Sequence, residues 1–259
     1  MGQLVLNYKT SSIGLYEYPT LSRELFEKFD MTILGLGKLP RKAPSMDALA
    51  AIFDLAGFTK FCNQIDPHLV IPEFLNKFLK WLFQQVASEC KYKESRDRIT
   101  MWCQLPFYGK FLGDGILLLW DTNAIKRAVD IGNIVVSLFN ICNKYRKEFL
   151  PSISSEVDSP PRTLRCGIAR GQVVSLGDGA DFVGSCINVA SRMQKLSELN
   201  FAFPRRGFDP KRCFTSAARG LFLLKKADVR GIGGQQLIMI SKAEFERLSP
   251  KRKKDFHDA

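Results

Sequence analysis

Histidine is almost missing from this chain of 259 residues: His68 and His257 are the only two. That scarcity excludes a zinc site built on imidazoles and a Ser-His nucleophilic pair. The seven cysteines stand at 62, 90, 103, 142, 166, 186 and 213, with no CxxC pair. Such a scatter offers no thiolate metal knuckle and reads as reduced, mostly buried thiols. No apolar run approaches the roughly 18–20 residues of a membrane-spanning helix. The opening MGQLVLNYKTSS lacks the charged-then-apolar layout of a secretion signal. These absences predict a soluble, cytoplasmic protein with no membrane partner. No internal repeat is visible, and nothing in the pattern suggests a second core.

Phenylalanine, by contrast, is abundant: 20 residues within a hydrophobic fraction of 46%, enough for a substantial core. The formal net charge is +12. Basic chains bind nucleic acid, but polyphosphates and anionic surfaces select the same sign. Here the basic residues are spread rather than striped and no nucleic-acid motif accompanies them, so no nucleic-acid partner is expected. Part of the excess sits in the last residues, KRKKDFHDA, which read as a solvated, frayed tail.

The pattern predicts three segments. Residues 1–43 are an N-terminal extension with a helical stretch at Leu21–Phe29 and the loop-like GLGKLPRKAPS, whose spacing does not fit a phosphate-binding P-loop. Residues 44–242 are the main folded domain, and residues 243–259 a basic C-terminal tail. Within the middle segment Ala48–Phe53 is a strand candidate, and Phe61–Ser88 carries helical periodicity interrupted by Pro67 and Pro72. Thr100–Leu105 and Lys110–Trp120 read as a hairpin turning near Gly113-Asp114-Gly115. Ala124–Phe149 is a second amphipathic helix, and Leu164–Arg170 with Gln172–Leu176 a further hairpin. Gly184–Glu198 is a third helix, and Val229–Ile240 holds the closing strand. This order predicts an α+β, ferredoxin-like βαββαβ fold, an antiparallel sheet with helices packed on one face.

Three motifs carry chemistry. FDLAGFT (Phe53–Thr59) and KFLGDG (Lys110–Gly115) each offer one carboxylate, Asp54 and Asp114, where an apolar strand breaks into glycine. Alone, either Asp serves equally well as a turn or cap residue. Together they suit divalent cations that neutralise a polyphosphate. Gly57, Phe58 and Thr59 open a helix whose free N–H groups can cradle phosphate. The third motif, GSCINVASR (Gly184–Arg192), sets Asn188 and Arg192 four apart on one helix face. An amide for the sugar and a guanidinium fork for phosphate complete a phosphoryl-transfer set.

In this order the three motifs resemble the catalytic domain of class III nucleotidyl cyclases, over about Ala48 to Ser241. The resemblance implies a nucleoside triphosphate substrate, a cyclic monophosphate product and two divalent metal ions per site, Mn²⁺ or Mg²⁺. It implies Leu55 as a main-chain metal ligand beside Asp54 and Asp114, with Asn188 and Arg192 as catalytic residues. Lys110 and Asp181 fall where adenylate cyclases of this family read the base. Arg230, in RGIGGQQL, stands where the family usually carries a triphosphate-binding lysine, a departure from the pattern. A homodimer is also implied, with active sites at the subunit interface.

Read literally, Lys110 and Asp181 specify ATP. Two other features point to a pyrimidine. Asp54 and Asp114 are farther apart than is usual in the family, and the runs GFTKFCNQIDPHLVIPEFLN and FYGKFLGDGILLLWD resemble the stand-alone pyrimidine cyclases of Pycsar antiphage defence. The expectation is therefore a uridylate or cytidylate cyclase, UTP ahead of CTP, whose product acts on a separate effector. Phe107, Tyr108 and Phe182 are candidates for narrowing the base pocket. The alternatives are an adenylate cyclase and a catalytically inactive nucleotide-binding module.

Overall fold

Strands begin earlier than the sequence suggests. β1 (Lys9–Ile13) pairs antiparallel with β2 (Tyr16–Thr20), and α1 (Arg23–Glu27) follows. Helix α1 realises the middle of the predicted Leu21–Phe29 stretch. The computed structural model describes residues 8–13, 16–28, 30, 34–36, 43–64 and 66–259, so Phe29 and residues 37–42 of the GLGKLPRKAPS run lie outside it. Contacts divide the chain into two units: Met1–Ser45 with Val174–Val183, and Met46–Val173 with Gly184–Ala259.

The elements then run β3 (Ser45–Ala56), α2 (Phe58–Cys62), α3 (Pro67–Cys90), β4 (Lys91–Glu94), β5 (Ile99–Met101), β6 (Tyr108–Phe111), β7 (Gly115–Asp121) and α4 (Ala128–Lys144). Helix α4 continues through a π turn at Tyr145–Phe149 into α5 (Leu150–Ile153). Next come β8 (Thr163–Leu176), β9 (Asp181–Val183), α6 (Ser185–Met193), β10 (Phe201–Pro204), α7 (Pro210–Cys213) and α8 (Ser216–Arg219). The chain closes with β11 (Phe222–Asp228), β12 (Gln235–Ser241), α9 (Lys242–Arg247), α10 (Pro250–Lys253) and β13 (Phe256–Asp258). The main sheet is ordered β13-β11-β12-β10-β8-β3-β7-β6. Its β8-β3-β7-β6 half is the strand order of a ferredoxin-like βαββαβ unit, as the sequence predicts.

Period-two alternation gives the sheet two unlike faces. Leu49, Ala51, Phe53 and Leu55 of β3, Ile116, Leu118 and Trp120 of β7, and Leu164, Cys166 and Ile168 of β8 join one core with α3 and α4. Phe74, Phe78, Tyr145 and Phe149 stack there with ring centroids 5.2–6.0 Å apart. The alternate residues Ala202, Ile238 and Ile240 form a smaller cluster with Met193, Leu196 and Phe256.

Three local expectations need correction. The hairpin beside Gly113-Asp114 is β6–β7, since β5 pairs with β4 in a separate ribbon. Leu164–Leu176 is one continuous strand. Gly171, read above as a turn, is a packing position with the Cys186 side chain of α6 against it. The hairpin comes later, where Leu176 pairs with Asp181. The basic end does not fray: β13 pairs with β11, and Phe256 is buried beneath α9 residue Phe245. The run of lysines hid the one apolar anchor that folds it back.

Candidate active site

The two acidic turns meet through their main chains. Asp54 faces Gly115 in the last register pair of β3 with β7, and the Leu55 N–H donates to the Asp114 carbonyl at 3.2 Å. A side chain at Gly115 would press on the Phe53 carbonyl at 2.5 Å, so only glycine allows the strands this approach. Both carboxylates are half-buried, and neither has a hydrogen-bond or ion-pair partner among the described residues. Burial raises the Asp54 pKa above the ordinary carboxylate range, and the charge of Asp114 raises it further. Lys195 and Arg165 act in the opposite direction. Two unpartnered carboxylates that repel each other at a strand end are a donor set for a hard divalent cation. No cluster of three or more His, Cys, Asp or Glu residues occurs among the described residues, so other oxygens would complete the coordination. Leu55 has only main-chain atoms to offer, its side chain being 2% exposed.

Helix α6 lies on the opposite face from the aromatic core. Its buried residues are Cys186, Ala190 and Met193, while Asn188 and Arg192 are exposed on the other side of the helix. The helix sits directly on β8 at Gly167, where any Cβ would overlap the Ala190 carbonyl and the Gln194 amide. Alternation along the strands puts Arg165 and Gly167 of β8, Asp54 of β3 and Lys110 of β6 on this same face. Among the described residues, no hydrogen bond or ion pair joins Asp54 or Asp114 to Asn188 or Arg192.

The remaining predicted residues are placed as follows. Lys110 is half-buried on β6 opposite Leu117. Asp181 opens β9 in the other unit, its carboxylate accepting from the Phe182 N–H at 2.8 Å. Phe58 and Thr59 begin α2 as expected, after Gly57 at φ 88. The Phe58 ring is buried against Phe61 and Phe74, which leaves only its backbone for a substrate, while Thr59 is exposed. Arg230 lies in the turn between β11 and β12 and lines a cleft of about 540 Å³ together with Arg192. The Arg192 guanidinium rests beside Gly231 in that turn, with Nε 3.7 Å from where a Cβ would stand.

Two residues escaped the sequence reading. Lys195 stands in the turn that follows α6, exposed like Asn188 and Arg192, and its charge reaches Asp54. Arg165 also acts on Asp54, and its Nε is buried with no hydrogen-bond partner among the described residues. Placed in an apolar strand, it carries no sequence signal of its own.

No family model matches the sequence, and neither does any curated protein. Solved structures do resemble it. The adenylyl cyclase CyaB from P. aeruginosa is 14% identical, with a TM-score of 0.55 over 77% of this chain and 95% of that one. The guanylyl cyclase Cya2 is 15% identical, with a TM-score of 0.55 over 77% and 93%. The catalytic core of a rhodopsin-guanylyl cyclase with converted specificity, in complex with ATPalphaS, is 17% identical, with a TM-score of 0.52 over 77% and 98%. This chain therefore has the class III cyclase fold.

Proposed function

We propose that the protein is a nucleotidyl cyclase that converts a nucleoside triphosphate to its 3′,5′-cyclic monophosphate and pyrophosphate. One observation carries the reading: Asp54 and Asp114, mutually repelling and without a hydrogen-bond or ion-pair partner among the described residues, stand side by side where β3 meets the turn into β7, and Asp54 faces the side of the sheet that carries α6. Two divalent cations held by Asp54, Asp114 and the Leu55 carbonyl would supply Lewis acidity to the 3′-hydroxyl and to the phosphates. In the reaction the ribose 3′-oxygen loses its proton to solvent and bonds to the α-phosphorus. The bond from that phosphorus to the bridging oxygen breaks, and pyrophosphate leaves. Arg192 balances the charge that builds on the phosphates, and Asn188 orients the ribose. Arg230, Thr59 and the Phe58 N–H hold the remaining phosphate oxygens.

The active unit is a homodimer that takes carboxylates from one protomer and Asn188 with Arg192 from the other. Mixing inactive Asp54→Ala and Arg192→Ala proteins is expected to restore activity. An intrachain site would leave the mixture dead. The catalytic part is residues 44–242, with residues 1–43 as an extension.

For the base, the proposal is a pyrimidine, UTP before CTP, with a cyclic product that serves a separate effector in antiphage defence. It is supported by the long Asp54-to-Asp114 interval, and by Phe107, which is 46% exposed rather than core. A second reading, ATP, is favoured by Lys110 with Asp181 and by the adenylyl cyclase named above. The test is incubation with each of ATP, GTP, CTP and UTP in Mn²⁺ or Mg²⁺, with products identified by mass. Cyclic UMP or CMP supports the first reading, and cyclic AMP replaces it. An absence of turnover on all four leaves a nucleotide-binding module. The protein has no helix among the described residues that is long and apolar enough to cross a membrane, and its expected site of action is the cytoplasm.

A further inference from the structure

Several basic side chains near the end of the chain have partners. Lys225 pairs with Asp258 at 2.6 Å, Arg252 with Glu198 at 3.1 Å, and Lys253 donates to the Glu246 carbonyl at 3.0 Å. Four do not. Among the described residues Arg192, Lys195, Arg230 and Lys254 form no ion pair, yet all four line the cleft of about 540 Å³. Only two carboxylates, Asp228 and Asp255, share its walls, so the cations outnumber them. Ser197 lines it too, held at φ 52, with a buried hydroxyl that has no hydrogen-bond partner among the described residues. Cations that outnumber the carboxylates of one cleft converge where an anion completes the set. A buried hydroxyl left without a partner points the same way.

We propose that this cleft is a polyphosphate site and that the folded-back end of the chain is one of its walls. Lys254 and Lys195 join Arg192 and Arg230 in charge-assisted hydrogen bonds to phosphate oxygens, and the Ser197 hydroxyl donates one more. The position of Lys254 is set by its neighbour Phe256, which is buried as β13 pairs with β11 through Ala227↔Phe256. The volume suits a pyrophosphate or a triphosphate tail. The inference extends the cyclase reading at Arg192 and Arg230, and its new content is that residues beyond the catalytic segment 44–242 hold the same anion.

The experiment is calorimetric titration of the full-length protein with inorganic pyrophosphate, beside the product assay. Lys254→Ala is expected to weaken pyrophosphate binding about ten-fold and Ser197→Ala about three-fold. Lys251→Ala removes the same charge from an exposed position outside the cleft and is expected to change binding less than two-fold, in line with a solvated surface charge. Thermal melts confirm that the variants fold. If Lys254→Ala binds like Lys251→Ala, or if the unaltered protein binds no pyrophosphate at millimolar concentration, the inference is overturned even where cyclic nucleotide is formed. If no triphosphate is turned over but Lys254→Ala still loses pyrophosphate, the cleft stands and the cyclase reading falls.

Discussion

The two faces of the central sheet are built from opposite materials. The face under α3 and α4 is aromatic and dry, with Phe74, Phe78, Tyr145 and Phe149 in ring contact and Trp120 fully buried. The face under α6 carries Asp54 and Arg165 among its apolar residues, and its buried cluster is smaller. The first face is arranged for stability and the second sacrifices some of it: carboxylates without partners and cations without counter-charge destabilise a fold and are kept where a ligand completes them. The comparison predicts that substitutions on the two faces separate activity from stability.

The widest separation is expected at Asp54. Asp54→Ala removes a carboxylate that Asp114 repels and nothing pairs, so turnover should fall on the order of 10³-fold while the melting temperature stays level or rises. A melting temperature lowered along with activity would mean that Asp54 supports the fold, and the contrast between the faces would be lost. Phe78→Ala is the mirror case. Its ring is 1% exposed and touches Phe74, Trp81, Tyr145 and Phe149. Truncation should cost about 3–5 kcal/mol in a denaturant titration, with per-molecule turnover of the remaining folded protein nearly unchanged.

Gly167→Ala tests the seam between the faces. A methyl group there drives α6 off β8 by pushing on the Ala190 carbonyl and the Gln194 amide. Stability should drop by about 1–3 kcal/mol, and turnover should fall with it, because Asn188 and Arg192 ride on that helix. Unchanged turnover at lowered stability would show that the position of α6 on the sheet does not set the reaction geometry.

What the sequence revealed follows the same division. The acidic turns were legible because Asp54 and Asp114 interrupt apolar strands at glycine, a local pattern. The exposed face of α6 was legible from helical spacing alone. Glycines with a packing role were not: Gly171 reads as a turn until Cys186 is found against it. Lys195 and Arg165 were missed because their relation to Asp54 depends on strand order. The chain end was misread for the reverse reason, local charge concealing the long-range anchor at Phe256.

The smallest effect expected is kinetic, and it compares the faces without altering either. Five thiols, Cys90, Cys103, Cys142, Cys166 and Cys213, lie in the aromatic core, while Cys186 is buried under α6 and Cys62 is half-buried at the end of α2. Burial pushes the Cys186 thiol up to about 11, so its reaction with a thiol reagent near neutral pH requires local opening. A nine-residue helix on a small cluster opens at lower free energy than a pair of long helices clasped by stacked rings. Labelling of the native protein, followed by peptide mass spectrometry, should find Cys62 modified first, Cys186 next and the five core thiols last. If Cys142 or Cys166 reacts at the rate of Cys186, the two faces open as one cooperative unit. The unpartnered charges of the second face would then draw on the stability of the whole fold rather than on a separate, weaker layer.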